Sequence, residues 1–271
     1  MLFFKDLTDK KYDCVVTYGS NSSNHCRVVA NIAASKGLPC YIISPDNTNK
    51  ITFNYMMMKL FGAKIIQCPV SEVSKTIDKA MDKLKAKGYK PYFIEGGGHG
   101  NIGTQAYVDA YREILNYEKS KGIHMDYIFH ASGTGTTQAG LICGKIINND
   151  HRTIVGISIA RKNPYGSKIV LNSVNDYLKK LGREYVTSKH VIFTDDYILG
   201  GYGTYNNDIL RTIKEILIRD GIPMDTIYTG KAFWGMKNYI RINQIRGKNI
   251  LFIHTGGTPL FYDRLEELKN E

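Results

Sequence analysis

No apolar run in the chain approaches the roughly 18 residues that a membrane-spanning helix needs. The start does not read as a secretory signal either: Met1-Leu2-Phe3-Phe4 is too short for an apolar targeting core, and Lys5 follows it. The five cysteines (Cys14, Cys26, Cys40, Cys68 and Cys143) contain no Cys-x-x-Cys pair and no metal-ligand spacing, so no metal site is expected. An odd number of scattered thiols points to reduced cysteines in a reducing compartment, and the expected location is cytoplasmic. No arginine-rich arm or basic–aromatic interleaving argues for a nucleic-acid partner. Low-complexity linkers and internal repeats are also missing.

What is present is the composition of a globular protein, 43% hydrophobic and 23% charged over 271 residues, enough for one large domain or two modest ones. The formal net charge is +11. Lys75, Lys79, Lys83 and Lys87 interleave with Asp78 and Asp82 on a predicted helix face, which is the pattern of a solvated surface. The same excess of positive charge favours anionic small molecules through its long-range field.

Short β-rich runs alternate with longer helical stretches almost throughout. Strands are predicted at Asp13–Thr17, Pro39–Ser44, Lys64–Cys68, Tyr92–Glu95, Tyr127–Ala131, Ile154–Ser158, Val191–Asp195 and Ile250–His254. Helices are predicted at about Arg27–Ser35, Thr52–Phe61, Val73–Lys87, Gly103–Lys121, Gln138–Ile147, Lys168–Leu181, Asn207–Asp220, Lys231–Ile245 and Tyr262–Asn270. Strands such as Ile65-Ile66 and Ile250-Leu251-Phe252-Ile253 are apolar on both faces, as buried parallel strands are. The fold class is therefore α/β, with two doubly wound lobes and largely parallel sheets. The glycine-dense segment Glu95–Gly103 reads as the crossover, giving a smaller lobe at residues 2–105 and a larger one at 106–271.

Ligands of parallel α/β sheets bind at the carboxyl ends of strands. Four polar or glycine-rich turns have that placement. The first, Gly19-Ser20-Asn21-Ser22-Ser23-Asn24, stacks five small polar residues ahead of a helix, where a simple cap needs one. The second is Gly96-Gly97-Gly98-His99-Gly100. The third, Ser132-Gly133-Thr134-Gly135-Thr136-Thr137, is the best phosphate candidate, with glycines for close approach and threonine hydroxyls at a helix start. Gln138 stands where a dinucleotide fingerprint would need Gly or Ala, and no Gly-Lys-Ser/Thr follows, so a single small phosphate fits better than a dinucleotide or a nucleoside triphosphate. The fourth is His254-Thr255-Gly256-Gly257-Thr258-Pro259.

Six motifs then fall in one order: Ser23-Asn24-His25-x-Arg27, Gly103-x-x-Ala106-Tyr107, Gly133-Thr134-Gly135-Thr136-Thr137, Gly201-Tyr202-Gly203, Tyr228-Thr229-Gly230-Lys231-Ala232 and His254-Thr255-Gly256-Gly257. Together they resemble the fold type II pyridoxal-phosphate enzymes that include D-cysteine desulfhydrase and 1-aminocyclopropane-1-carboxylate deaminase. The resemblance covers nearly the whole chain and implies a tryptophan synthase β-like fold, pyridoxal 5'-phosphate as cofactor, a small amino-acid substrate and a homodimer. It implies that Gly133, Thr134, Gly135, Thr136 and Thr137 hold the cofactor phosphate, that Asn24 bonds the ring hydroxyl, and that Thr255 lies near the pyridine nitrogen. Ser23 would receive the substrate carboxylate, and Tyr202 and Tyr228 would flank the substrate as acid, base or nucleophile. Thr229 resembles the desulfhydrase type, where the deaminase has a glutamate, which favours β-elimination over cyclopropane opening. His99, Thr136 and Glu95 depart from the family's usual serine, glycine and proline.

The resemblance also implies a cofactor-attaching lysine in a Lys-x-Arg-x-Leu-like segment whose tail Leu2-Phe3-Phe4-Lys5 resembles. That lysine, with the N-terminal part of the larger lobe, would fall before Met1. Lys5, Lys10 and Lys11 are out of register, and Lys231 reads as a structural residue at a helix start. The chain is then either a shortened form of a lyase or deaminase, impaired without the lysine, or a homologue that binds the cofactor or an amino acid without turnover. A nucleotide-binding α/β protein is the third reading.

Overall fold

A computed structural model describes residues 1–45 and 51–270 of the chain. The chain divides into two compact units, Met1–His99 and Gly100–Glu271. All eight predicted strands are present. In the first unit they are β1 (Cys14–Tyr18), β2 (Cys40–Pro45), β3 (Lys64–Cys68) and β4 (Pro91–Ile94), in the parallel order β3-β2-β1-β4. Its helices are α1 (Leu2–Asp9), α2 (Asn24–Ser35), α3 (Phe53–Leu60) and α4 (Val73–Ala86). The period of two along β1 sends Val15 to one face, where Phe4, Leu7, Ala30, Ala33 and Met58 cover it. Cys14 and Val16 go to the other face, under Ala80 and Leu84 of α4. The lysines of α4 are exposed, as its charge pattern predicts.

The second unit opens with α5 (Asn101–Lys121), followed by β5 (Tyr127–Ser132), α6 (Thr136–Ile147), β6 (Thr153–Ser158), α7 (Tyr165–Lys180) and β7 (Ile192–Thr194). The chain continues through α8 (Asn207–Asp220), α9 (Thr229–Ile242), β8 (Ile250–Ile253), α10 (Thr258–Tyr262) and α11 (Leu265–Asn270). This sheet is also parallel, in the order β7-β6-β5-β8. One face carries Ile128 and Ile154 beneath α5, α6 and α7; the other carries Phe129, Val155 and Ile157 beneath α9. Gly140 and Gly144 let α6 lie directly on Tyr107 and Tyr111 of α5, because a Cβ at either glycine would come within 2.5 Å of a tyrosine Cβ.

Some boundaries differ from the sequence reading for identifiable reasons. The helix after the opening turn starts at Asn24 rather than Arg27, because Ser23 caps it: Ser23 Oγ accepts from Cys26 N at 3.1 Å. The final predicted helix is two short ones, α10 and α11, and residues 2–9 form a helix that the strand-and-helix reading omitted. Ile65-Ile66 and Ile250–Ile253 are not in buried central strands. β3 and β8 lie at sheet edges, and Ile66 is 36% exposed. The central strands β1, β5 and β6 have the deepest burial.

In each sheet the strand order reverses once. β1 and β4 are neighbours although β2 and β3 intervene in the chain, and β5 and β8 are neighbours although β6 and β7 intervene. Those reversals are the topological switch points at which α/β sheets accept ligands. The turns Gly19–Ser23 and Gly96–His99 follow β1 and β4, and the turns Gly133–Gly135 and His254–Gly257 follow β5 and β8.

Candidate active site

In the first unit the opening turn is closely built. A Cβ at Gly19 would come 2.7 Å from Cys26 Sγ and 2.8 Å from Ser23 Oγ, so only glycine lets the chain fold back onto its own helix cap. Ser23 N donates to Ser20 O at 2.9 Å and Gly19 N to Ile43 O at 3.1 Å, tying the turn to β2. Ser44 Oγ donates to Asn21 Oδ1 and Thr52 Oγ1 to Asn21 O, at 3.0 and 2.6 Å. Ser23 is buried, and with its oxygen accepting from Cys26 its hydroxyl proton remains to be given elsewhere. Asn24 lies beside it, its Oδ1 accepting from Asn54 Nδ2 of α3 at 2.8 Å.

His25 follows in the same turn. Thr17 Oγ1 donates to Ile94 O at 2.7 Å across the β1–β4 switch point, so the 2.8 Å contact between Thr17 Oγ1 and His25 Nε2 has the imidazole as donor. Burial lowers the His25 pKa to about 4 and keeps the ring neutral.

In the second unit, Gly133–Thr137 joins the carboxyl end of β5 to the first turn of α6. Gly135 sits at φ +96, and α6 has no side-chain cap hydrogen bond at its start. An uncapped N-terminus of a 12-residue helix behind two glycines is a fitting cradle for a phosphate. Thr134 and Thr136 place their hydroxyls 3.4 Å apart. Arg161, just past β6, donates Nη1 to Thr134 O at 2.6 Å and brings a positive charge to the loop. Gln138 is committed to structure: Oε1 accepts from Ser132 Oγ at 3.2 Å and Nε2 donates to Ile192 O at 2.7 Å. Thr255 is exposed in the turn after β8, the strand beside β5. His254 steadies that turn, with Nε2 against Pro223 O at 3.0 Å and Gly256 N donating to Nδ1 at 3.3 Å.

Tyr202 and Tyr228 meet directly. Their hydroxyl oxygens are 2.6 Å apart, and their rings pack edge to face at 5.9 Å. Asp225 builds the base of this pair by accepting from the N–H groups of Ile227, Tyr228 and Thr229 and from Thr229 Oγ1. Burial raises the Asp225 pKa, against the pull of those four donors. The Thr229 hydroxyl is thus bonded to Asp225 and buried, which gives it a local structural role. Lys231 is fully buried on the first turn of α9, where Nζ donates to Gly201 O at 2.9 Å and Ile198 O at 3.2 Å. Burial lowers its pKa to about 8, with Asp225 opposing the shift.

Ser23 and Asn24 are therefore adjacent in the first unit; within the second, Tyr202 and Tyr228 touch, and Gly133–Thr137 and Thr255 occupy neighbouring strand ends. Sequence reading missed Asn54, Arg161 and Asp225. The signal for Asn54 was available: it precedes Met58 by four residues on the buried face of α3, a lone amide on an apolar stripe. Among the described residues no group of three or more His, Cys, Asp or Glu could hold a metal ion, and no helix is long and apolar enough to cross a membrane.

Comparison with known proteins bears on this arrangement. The profile of the family described as "Pyridoxal-phosphate dependent enzyme" matches residues 1–256. A protein of Pyrococcus abyssi named "Putative 1-aminocyclopropane-1-carboxylate deaminase" is 32% identical over 266 residues, covering 97% of this chain and 79% of its own length. Its namesake in Pyrococcus horikoshii is 35% identical over 257 residues, covering 93% and 76%. The crystal structure of an ACC deaminase homologue superposes with a TM-score of 0.89 at 30% identity, over 99% of this chain and 81% of that one. A hydrogen sulfide-producing enzyme from Fusobacterium nucleatum shares the fold at 18% identity, with a TM-score of 0.63 over 94% and 83% of the two chains.

Proposed function

Since the chain belongs to the pyridoxal-phosphate dependent enzyme family, we propose that its switch-point turns serve a lyase or deaminase reaction on a small amino acid, of the β-elimination type. Pyridoxal 5'-phosphate supplies an electron sink that acidifies the α-C–H of an attached amino acid. The observation that carries the reading is the Gly133–Thr137 cradle: an uncapped helix start, two glycines and the Arg161 guanidinium at a switch point.

The family resemblance suggests a task for each residue. Backbone N–H groups at the start of α6, with the Thr134, Thr136 and Thr137 hydroxyls, bind the phosphate. Asn24 would donate to the cofactor's ring hydroxyl oxygen, and Thr255 to its ring nitrogen. Ser23 would donate a hydrogen bond to the substrate carboxylate. The Tyr202–Tyr228 pair holds or moves a proton at a phenolic oxygen. Position 229 carries a threonine whose hydroxyl is spent on Asp225, so no carboxylate there balances a protonated ring nitrogen. A milder electron sink suits loss of a β-substituent better than opening of a cyclopropane. For D-cysteine the balance is substrate plus water giving pyruvate, ammonia and hydrogen sulfide.

A second reading, binding of the cofactor or an amino acid without turnover, is favoured by Lys231. This lysine is bonded to two backbone carbonyls in the interior and is a poor candidate for attaching a cofactor. Burial raises the pKa of four of the five free thiols, to about 11 for Cys14 and about 12 for Cys26, Cys40 and Cys143, which keeps them protonated and unreactive.

The deciding experiment incubates the protein with pyridoxal 5'-phosphate and follows three signals: the visible spectrum of bound cofactor, borohydride-stable incorporation, and 2-oxo acid release from D-cysteine and from 1-aminocyclopropane-1-carboxylate. Slow pyruvate formation from D-cysteine supports the lyase. Binding with no 2-oxo acid from either substrate selects the second reading. A borohydride-fixed adduct on Lys231 would overturn the structural assignment of that lysine.

A further inference from the structure

We propose that Asn54 sets the hydrogen-bonding sense of Asn24, so that Asn24 meets its ligand as a donor. The inference rests on the reading of Asn24 as the residue facing the cofactor ring oxygen, and it assigns a positioning role to a residue on a different helix.

Asn54 is fully buried on α3. Its two amide protons have separate destinations, Ser22 O at 3.0 Å and Asn24 Oδ1 at 2.8 Å. The Ser22 carbonyl can only accept, so it fixes which end of the Asn54 amide points into the turn. The reversed orientation would put the Asn54 oxygen against two acceptor oxygens. With Asn54 fixed as donor, Asn24 must turn its own Oδ1 inward, and its Nδ2 is presented away from Asn54. Nothing else among the described residues takes that amide's protons. A carboxamide left to itself presents either its oxygen or its nitrogen; this one is held with the nitrogen out.

The cost of the arrangement is visible. Asn54 Oδ1 is buried without a partner. An unpaired carbonyl oxygen in an apolar environment is destabilising, and an aliphatic residue beside Met58 would avoid it. A buried amide with half its capacity unused is accounted for by what its other half does to Asn24. The class of ligand atom follows: an oxygen acceptor, with an ionised aromatic hydroxyl best of all because a hydrogen bond to a charged acceptor is stronger.

The test uses pyridoxine 5'-phosphate and its 3-deoxy analogue, which bind without covalent attachment and differ only in the ring oxygen. Affinities are measured by fluorescence titration for the wild type, Asn54→Leu, Asn54→Asp and Asn24→Ala. The wild type is expected to prefer the 3-hydroxy probe by about tenfold. Asn54→Leu should lose most of that preference while holding the 3-deoxy probe as the wild type does. Asn54→Asp should invert the Asn24 amide and abolish the preference, with no further effect on the Asn24→Ala background. A preference that survives in folded Asn54→Leu overturns the proposal alone, as does an equal loss for both probes. A wild type with no preference overturns the reading of Asn24, and the proposal with it. Should the variants fail to fold, side-chain amide NMR of the wild type decides. Slow exchange is expected for the Asn54 protons, with fast exchange and probe-induced shifts for those of Asn24; the reverse assignment overturns the proposal.

Discussion

Tyr202 and Tyr228 approach to 2.6 Å between hydroxyl oxygens, and Lys231 bonds to Gly201, the residue preceding Tyr202, from the helix that Tyr228 caps. The lysine thus spans both halves of the tyrosine pair. Lys231→Met removes the ammonium donor from the Ile198 and Gly201 carbonyls, which keep only the backbone bonds from Gly201 N and Thr204 N, a loss of about 1–3 kcal/mol. A lower melting temperature is expected, with faster hydrogen exchange concentrated at residues 199–204. The pH dependence of the deficit is a sharper check. The folded-state pKa of Lys231, about 8, lies below its ordinary 10.5, so the unfolded chain binds more protons between those values. The wild type therefore gains stability from this residue as pH rises through that window and loses it as pH falls. The stability gap between wild type and Lys231→Met should widen from pH 7.5 to pH 10; a constant gap would show that the amine titrates normally.

Arg161 reaches the proposed phosphate cradle through one bond, Nη1 to Thr134 O at 2.6 Å. Arg161→Gln removes the positive charge and loosens the turn. Affinity for pyridoxine 5'-phosphate should fall by about tenfold, the scale of one hydrogen bond from a charged donor. Affinity for pyridoxine, which lacks the phosphate, should not change. Titration of both compounds against both proteins measures the difference, and equal weakening would place Arg161 in general stability instead.

Much of this architecture was legible because parallel strands announce themselves. Val15-Val16, Ile128-Phe129 and Ile154-Val155 are continuous apolar runs bounded by turns, and their burial on both faces leaves no competing helical pattern. The four turns at the carboxyl ends of β1, β4, β5 and β8 were legible from small residues placed after such runs. Which strands were central was less readable, since Ile65-Ile66 and Ile250–Ile253 are as apolar as the core strands yet form sheet edges. Hydrophobicity alone reports neither how many neighbours a strand has nor how fully it is covered, as the 36% exposure of Ile66 shows. Partners joined across long sequence separation were invisible: the Arg161–Thr134 and Gln138–Ile192 bonds follow from packing and carry no local pattern, and the apolar stripe that marks Asn54 as buried does not reveal its partner Ser22.

Gly156 illustrates such a pairing. A Cβ there would stand 2.1 Å from Gln138 Oε1. Gln138 cannot swing aside without giving up its bonds to Ser132 and Ile192 in a buried setting. Gly156→Ala should therefore destabilise the protein by about 1–3 kcal/mol, the cost of stranding buried polar groups. Gly133→Ala is the control, because the added methyl would meet Ile159 only at 3.7 Å. Chemical denaturation of the two variants should separate them clearly, and similar losses would sink the account of Gln138 as a fixed strut.

Two histidines, the buried His130 and the half-buried His25, are held neutral in opposite tautomers. His25 donates from Nε2 to Thr17, whereas His130 lies with Nδ1 3.1 Å from Ala131 O, a carbonyl that can only accept, leaving Nε2 bare and without a partner. Burial lowers both pKa values to about 4, against an ordinary 6.5. Between those values the unfolded chain binds protons that the folded chain refuses, so stability falls as pH drops through the window and is fully present above it. At pH 5 the loss is about 2 kcal/mol per histidine, from the distance below the ordinary pKa and about 1.36 kcal/mol per unit. Guanidinium midpoints at pH 7 and pH 5 should show this loss in the wild type. His25→Gln, which keeps a side-chain donor toward Thr17, should recover about half of it. Nitrogen NMR of the ring atoms supplies the independent check: a proton on Nε2 of His25 and on Nδ1 of His130 at pH 7. A wild type whose stability is flat from pH 7 to pH 5 would mean that both rings reach water and titrate as free imidazoles, and the buried-tautomer assignment would fail with it.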